Sequence, residues 1–499
     1  MSILTPRQEQ LRPLGRRLSR RHSRISTHRG GTGFLETFFH TRTRIGVDSC
    51  VIVAARYQSG LNDVLDKSTL FAALEDVIHD HAELGVRISV GDGVLSTQRG
   101  PPTWVRLAFL DLSRTVEFVD VDSSNLSSLL EAQFTRPFDL GAKLPLWRLV
   151  VLSDGTVVFA YDHVMGDGQS GLAFHLSLLD ALQKIRDPPV KHSGSVTAPP
   201  GVAMLPPVED AMLIPVPLTR LLSEVNKAIN PFHKRRRTAV WSGNPIPKAF
   251  KFGVHVRILH MSPDEAASLL RQCRAHQTTI TGAVYALISY IFARLLRISD
   301  EPKPKYTSIG VFVPVSLRRY TGAPPTAICN HVSYYQDIHE LPTVSSCHSP
   351  TAYPIPSDFP WAVAARFSET LRREAPHTPA MLGVMNTLVG AGERYSRGLL
   401  GKKREMTLEI SNLGPVPAAA APTSHPECMA SASGWSIQEA IFAQADATPG
   451  AALKINVTGT PAGGLGISLT WGRESLDEEF AEACVGAFVA GMKELAVVS

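Results

Sequence analysis

His163 is the residue whose surroundings best suit it to chemistry. It follows the apolar run VVFAY and precedes the Gly-rich turn VMGDGQSG, a strand-to-turn junction of the kind where a side chain points into a cleft. An imidazole has an unperturbed pKa near 6.5, so at neutral pH it can accept the proton of a hydroxyl or amine attacking an electrophile. Asp167 lies four residues on, between Gly166 and Gly168, which let the backbone turn sharply around it. Its carboxylate has two open roles: orienting the imidazole directly, or pinning the loop from behind through a cation. Shared metal binding by the pair would need a third ligand, and none stands at metal spacing. The spacing alone says little, because His260 and Asp264 repeat it at a strand-to-helix cap with no Gly following.

The elements around His163 read clearly. PFDLGAKLPLWRLVVLSDGTVVFAYDHV predicts two strands joined by a turn at Asp154-Gly155, and a helix from near Gly168 to about Ile185. Upstream, Leu70, Leu74, Val77, Ile78 and His81 fall at helical spacing. GVRISV then reads as a strand and Leu126 to Phe134 as a helix. Downstream, FKFGVHVRILHM alternates as a strand, and Ser262-Pro263-Asp264-Glu265 carries N-cap, proline and acids for a helix. A nearly all-apolar helix spans Thr281 to Leu296, and SIGVFVPVSL is a strand. Helical material extends to about Gly390. The strand-like runs MTLEISNLG, WSIQEAIFA, ALKINVTG and LGISLTW and a last helix, Leu476 to Leu495, complete a second half with its own sheet. Mixed helix and strand periods make the class α/β (α+β).

A chain of 499 residues exceeds what one core usually holds, so two domains are expected. Between Pro188 and Pro247 stand eleven prolines, too many for continuous helix or central strand. The expected organisation is a basic, flexible segment over 1–33, an N-terminal domain over 34–187, a Pro-rich crossover over 188–247 and a C-terminal domain over 248–499. Residues 1–30 hold eight Arg against the single acid Glu9, so the net charge of +5 is concentrated there and the remaining chain is close to neutral. The body therefore lacks the basic field that nucleic-acid binding requires. No apolar run is long enough to cross a membrane, and Pro6, Pro13 and Gly15 interrupt any amphipathic presequence helix, so a cytoplasmic protein with no transmembrane segment is expected. Cys50, Cys273, Cys329, Cys347, Cys428 and Cys484 are scattered without CxxC pairing and read as buried thiols.

HVMGDG resembles the HxxxDG motif of the coenzyme-A-dependent acyltransferase superfamily, which includes chloramphenicol acetyltransferase, plant BAHD enzymes and peptide-synthetase condensation domains. The whole chain is most similar to the fungal alcohol acetyltransferase branch. RPLG at Arg12 to Gly15, PFDLGAKLPLWRLVVL, VPVSLRRY at Val313 to Tyr320, CNHVSYY at Cys329 to Tyr335 and ISNLGPV at Ile410 to Val416 follow in order. The likeness spans about residues 40 to 495. The DFGWG loop of the plant branch is absent, with LTWGRES at Leu469 to Ser475 a loose echo, and residues 16 to 33 form an Arg-rich insertion.

The resemblance implies two chloramphenicol-acetyltransferase-like domains, each a mixed sheet with helices, and an active-site tunnel at their interface. It makes His163 the base that deprotonates the acceptor. Asp167, with Gly168, becomes the structural support of that loop, paired to Arg318 of VSLR, with Arg319 adjacent. It puts Ser411 and Asn412 where a second-domain hydroxyl helps hold an oxyanion, although both also suit a turn before Gly414 and Pro415. Asn330 resembles an Asn near the tunnel.

The implied activity is a cytoplasmic O-acetyltransferase of secondary metabolism, acting as a monomer without bound cofactor. Acetyl-CoA is its co-substrate and a small-molecule alcohol its acceptor. With no GxSxG elbow and no Cys in a nucleophile setting, direct transfer in one ternary complex is expected. Three rivals stay open. One is acyl transfer from a carrier protein, with the basic run Lys234 to Arg237 as a docking surface. Another is a cyclisation in the same tunnel, and the third a catalytically silent binding protein.

Overall fold

The computed structural model describes residues 30–60, 65–89, 102–185, 191–199, 201–230, 237–249, 252–296, 305–344, 359–390, 392–416, 434–445 and 448–497. The Arg-rich start, the RPLG block, Lys234 to Arg236, Cys347 and Cys428 lie outside these residues.

Two sheets organise the chain. The first holds β1 (Cys50–Ser59), β2 (Val116–Val119), β3 (Trp147–Leu152) and β4 (Thr156–Asp162). The second holds β5 (Val240–Trp241), β6 (Val254–Met261), β7 (Ser308–Ser316), β8 (Val332–Glu340), β9 (Leu408–Asn412), β11 (Leu453–Gly459) and β12 (Leu465–Gly472). One strand, β10 (Trp435–Gln444), departs from the grouping read in the sequence. It lies beside β1 at the edge of the first sheet, giving the order β10-β1-β4-β3-β2. Its alternation reveals a strand but not its partner, because either sheet could bury the same face.

β3 and β4 form the hairpin around Asp154-Gly155, and every residue of both is buried. Both faces of this sheet are covered, which is why the strands read as continuous apolar runs. On one face, α2 (Lys67–Asp80) and α4 (Gly168–Lys184) contribute Leu70, Leu74, Phe174 and Leu178 to a core with Val53 and Phe159. On the other, α3 (Leu126–Thr135) places Leu126, Leu130 and Phe134 against Ile52, Val150 and Val158, together with Val254 and Val256 of β6.

The second sheet is two-sided in a different sense. Leu408, Ile410, Leu453, Ile455, Ile467 and Leu469 point to a core shared with α6 (Pro263–Ala275), α7 (Ile280–Leu295), α8 (Trp361–Glu374) and α10 (Glu478–Val497). The alternate residues point toward the first sheet and are polar. Ser468 and Thr470 donate to the carbonyls of Phe442 (2.7 Å) and Gln444 (2.8 Å) on β10. The strands approach so closely that a Cβ at Gly466 would sit 1.9 Å from the Ala440 carbonyl oxygen, so only glycine fits.

Among its described residues, the Pro-rich crossover contains one substantial helix, α5 (Leu218–Ile229), and near its end comes β5, which pairs with β7. Two more helices border the space between the sheets: α1 (Phe34–Arg44) and α9 (Pro379–Val389). Among the described residues, no single helix is long and apolar enough to cross a membrane. Cys50, Cys273, Cys329 and Cys484 are buried free thiols.

Candidate active site

The hairpin strand β4 carries the chain to His163, and α4 begins five residues later. The backbone between is fastened at nearly every step. Val164 N–H donates to Asp162 Oδ1 (2.9 Å), and Asn330 Nδ2 donates to the carbonyls of His163 (2.7 Å) and Val164 (3.0 Å). The Tyr161 hydroxyl donates to the Asp167 carbonyl (2.7 Å) and accepts from Gly171 N–H (3.0 Å). Asn330 thus acts on the backbone behind the imidazole.

Asp167 is the N-cap of α4, accepting from Ser170 N–H at 3.2 Å. Its other oxygen accepts from Arg318 Nη1 (2.7 Å) and from His331 N–H (3.2 Å). Both side chains are buried, at 5% and 8% exposure, so this charge-assisted bond is shielded from water. Arg318 Nη2 also donates to the Ala327 carbonyl (3.2 Å) and Ser170 Oγ (3.3 Å), and Cys329 N–H donates to Ser170 Oγ (3.1 Å). Of the two roles left open for Asp167, the geometry has the cation: among the described residues no hydrogen bond joins it to the imidazole. The adjacent Arg319 is exposed and bonds the Tyr320 hydroxyl instead. Gly168 opens α4 against both halves of the chain. A Cβ there would meet the Phe442 ring at 2.8 Å and Leu413 at 2.9 Å.

The imidazole of His163 stacks on Phe39, with ring centroids 3.7 Å apart and planes 8° from parallel. Its Nδ1 is enclosed and makes no hydrogen bond to another described residue, and the ring lines the cavity. Burial lowers the ring's pKa. Asp48, the residue's own backbone and Asp167 oppose that shift, and Lys454 adds to it. The ring is therefore neutral at neutral pH. The preceding carboxyl, Asp162, is fully buried, which pushes its pKa up to about 7.

His163, Asp167 and Gly168 line a cavity of about 510 Å³ between the sheets. Its floor is the polar-facing side of the second sheet, where β7 contributes Phe312 and Pro314, β8 Tyr334 and Gln336, β9 Glu409 and Ser411, and β11 Lys454. Leu35, Phe38 and Phe39 of α1 and Met381, Leu382 and Met385 of α9 make it largely apolar. Glu409 and Lys454 are register partners on adjacent strands and form a buried ion pair of 3.0 Å. Ser411 is buried in the wall, and its hydroxyl makes no hydrogen bond within the described residues. The neighbouring Asn412 is committed elsewhere: Nδ2 donates to Thr281 Oγ1 (3.1 Å) and Oδ1 accepts from Gly414 N–H (2.8 Å). It closes the turn, the alternative that the Gly414-Pro415 sequence offered.

Sequence reasoning placed His163, Asp167, Gly168, Arg318, Ser411, Asn412 and Asn330 in one neighbourhood, and the fold brings them together across the two sheets. It missed Phe39, Asp48, Glu409 and Lys454. Phe39 had a signal: Leu35, Phe38 and Phe39 fall at helical spacing behind Gly33, whose N–H donates to Glu36 at 2.7 Å. The Glu409–Lys454 pair had none, since only strand register makes the two neighbours. Among the described residues, no group of three or more His, Cys, Asp or Glu side chains forms a metal cluster.

Comparison with known proteins identifies the family and the fold. Residues 115–490 match the family model for alcohol acetyltransferases. A probable alcohol acetyltransferase of Aspergillus fumigatus, crmB, is 24% identical over 442 residues, covering 83% of this chain and 87% of the relative. A second probable alcohol acetyltransferase, FCK4 of Fusarium pseudograminearum, is 22% identical, with coverages of 78% and 80%. The structure of the trichothecene 15-O-acetyltransferase TRI3 from Fusarium sporotrichioides superposes with a TM-score of 0.67 at 14% identity, covering 94% of this chain and 99% of that one. A condensation domain of the Monacolin K polyketide synthase MokA gives a TM-score of 0.55 at 12% identity, with coverages of 94% and 98%. At such identities these structures speak for the fold, two mixed sheets with helices.

Proposed function

The chain belongs to the alcohol acetyltransferase family and is an acetyltransferase, and from that premise we propose that it moves an acetyl group from acetyl-CoA to the hydroxyl of an apolar small molecule, with His163 as general base. The observation that carries this reading is the imidazole of His163 lining a largely apolar cavity between the two sheets.

His163 Nε2 accepts the proton of the acceptor hydroxyl as its oxygen attacks the thioester carbonyl carbon. The tetrahedral intermediate then carries its charge on the former carbonyl oxygen, and the Ser411 hydroxyl is the donor proposed to hold it. Collapse breaks the carbon–sulfur bond. The imidazolium returns the proton to the departing thiolate, so alcohol and thioester become ester and free thiol.

Asp167 and Arg318 take no proton. Their pairing fixes the loop from behind, and Asn330 fixes its carbonyls, so that the ring stays in one place. Phe39 covers one ring face and excludes water from it. Asn412 is assigned to the turn. Burial keeps the base neutral, which a hydroxyl's proton requires, while Asp48 tempers the shift and preserves basicity.

Purified protein incubated with acetyl-CoA and a panel of apolar alcohols, with thiol release and product mass followed, tests the reading. Thiol release that depends on the alcohol, with an acetyl gain on the product, is expected. Release only with a carrier-bound donor, or a product without added acetyl, would overturn it.

A further inference from the structure

The cavity floor holds a charged pair for which direct acetyl transfer has no use. Across the second sheet, register aligns Gln336 of β8, Phe312 of β7, Glu409 of β9 and Lys454 of β11 in a single row. Ser411 stands two residues beyond Glu409 on the same strand, so its side chain shares that face, roughly 6–7 Å further along. All five residues line the cavity. Glu409 and Lys454 are charged, yet their side chains are only 10% and 8% exposed. Glu409 Oε2 meets Lys454 Nζ at 3.0 Å, whereas Oε1 makes no hydrogen bond within the described residues.

A buried ion pair is a poor device for stability alone. Desolvating both charges costs about as much as their attraction returns, and an apolar pair of similar volume commonly does as well or better. Most of the cavity lining is apolar, so this pair is polar ground in a wall that could have been built without it. The carboxylate oxygen left over is an acceptor in a nearly dry place, and such an acceptor calls for a donor. A neutral donor fits best. The pair sums to zero charge, so an ammonium loses to Lys454 what it gains from Glu409, and a carboxylate the reverse.

We propose that Glu409 reads a second hydroxyl on the acceptor, about 6–7 Å from the hydroxyl that reacts beside Ser411. Lys454 holds the carboxylate in place. The substrate class is therefore a diol or polyol whose remaining surface is apolar, to suit the side chains of α1 and α9. Glu409 is a specificity-determining residue and takes no proton. The inference rests on the acetyl-transfer reading and narrows its acceptor.

Acetyl transfer from acetyl-CoA to octan-1-ol, octane-1,2-diol and octane-1,4-diol tests the spacing. The 1,4-diol sets its oxygens five bonds apart, roughly 6 Å when extended, and the 1,2-diol only three bonds. Wild type is expected to favour the 1,4-diol over both others by about 10- to 10²-fold in kcat/KM, the scale of one hydrogen bond to a charged group, expressed mainly in KM. Glu409→Gln strands the Lys454 ammonium, so Glu409→Leu/Lys454→Leu, which removes both charges, carries the comparison, and in it the preference is expected to disappear. Lys454 also lowers the pKa of His163, so its loss moves absolute rates. That change is common to all three acceptors and cancels in the ratio. Wild type that acetylates all three alike would overturn the inference, and so would a double variant that keeps the preference. Absence of thiol release with every alcohol would overturn the acetyl-transfer reading itself, a result distinct from acetylation without preference.

Discussion

Replacing Asp167 by Asn separates charge from shape at the support behind His163. The amide can still accept one of the two backbone N–H bonds, from Ser170 or His331, both 3.2 Å from the carboxylate. What disappears is the partner of Arg318 at 2.7 Å, in a pocket where the two side chains are only 5% and 8% exposed. Two unit charges about 3 Å apart attract by roughly 6 kcal/mol at an effective dielectric near 20. Desolvation takes back much of that, yet removing one member leaves the other charge buried alone, at a cost of about 3–5 kcal/mol. Arg318→Met should cost a similar amount, and the double variant Asp167→Asn/Arg318→Met should cost less than the sum by about 2 kcal/mol or more. Urea unfolding of all four proteins measures the cycle. Turnover should fall with Asp167→Asn at unchanged donor KM, because the loop loses its anchor while the cavity keeps its lining. Single variants within about 1 kcal/mol of wild type and strictly additive would refute the pairing as the support of this loop.

Two further outcomes concern titration. Asp48 raises the pKa of His163 and holds Arg42 at 3.1 Å, so Asp48→Asn should move the acid limb of kcat/KM, already below the ordinary histidine value, to still lower pH. A pH–rate profile checks this, and a shift to higher pH would contradict the electrostatics. Asp162 has a folded pKa of about 7 against an unfolded value near 3.9, so its stabilising contribution is complete below that lower value and is lost as pH rises through about 7. Asp162→Asn removes that slope, and its melting temperature relative to wild type should rise between about pH 4 and 7 and then level, with up to about 4 kcal/mol at stake. A difference that is flat with pH would show that the carboxyl is not held in its acid form.

The parts of the fold legible in the sequence are those fixed by local pattern. The β3–β4 hairpin follows from two apolar runs around Asp154-Gly155, and α6 from a Ser262 cap that accepts Glu265 N–H at 3.2 Å. His163 was legible because a strand ending in His before a Gly-rich turn has few other uses. Partner choice across long separations was not. β10 joins the first sheet although its neighbours in sequence build the second, and Glu409 meets Lys454 only through the β9–β11 register. Helix α5 was not read in the sequence, because the proline density around it argues against continuous helix. Asn412 shows the reverse limit: its residue type suits a donor to an oxyanion as well as a turn, and only its bonds to Thr281 and Gly414 separate the two.

The central claim is that the imidazole of His163 removes the acceptor's proton. Steady-state acetyl transfer by His163→Ala, with donor binding measured separately by calorimetry, tests it most directly. A fall of about 10²-fold or more in kcat with undiminished acetyl-CoA binding is expected. A variant that binds the donor and turns over at the wild-type rate would contradict it.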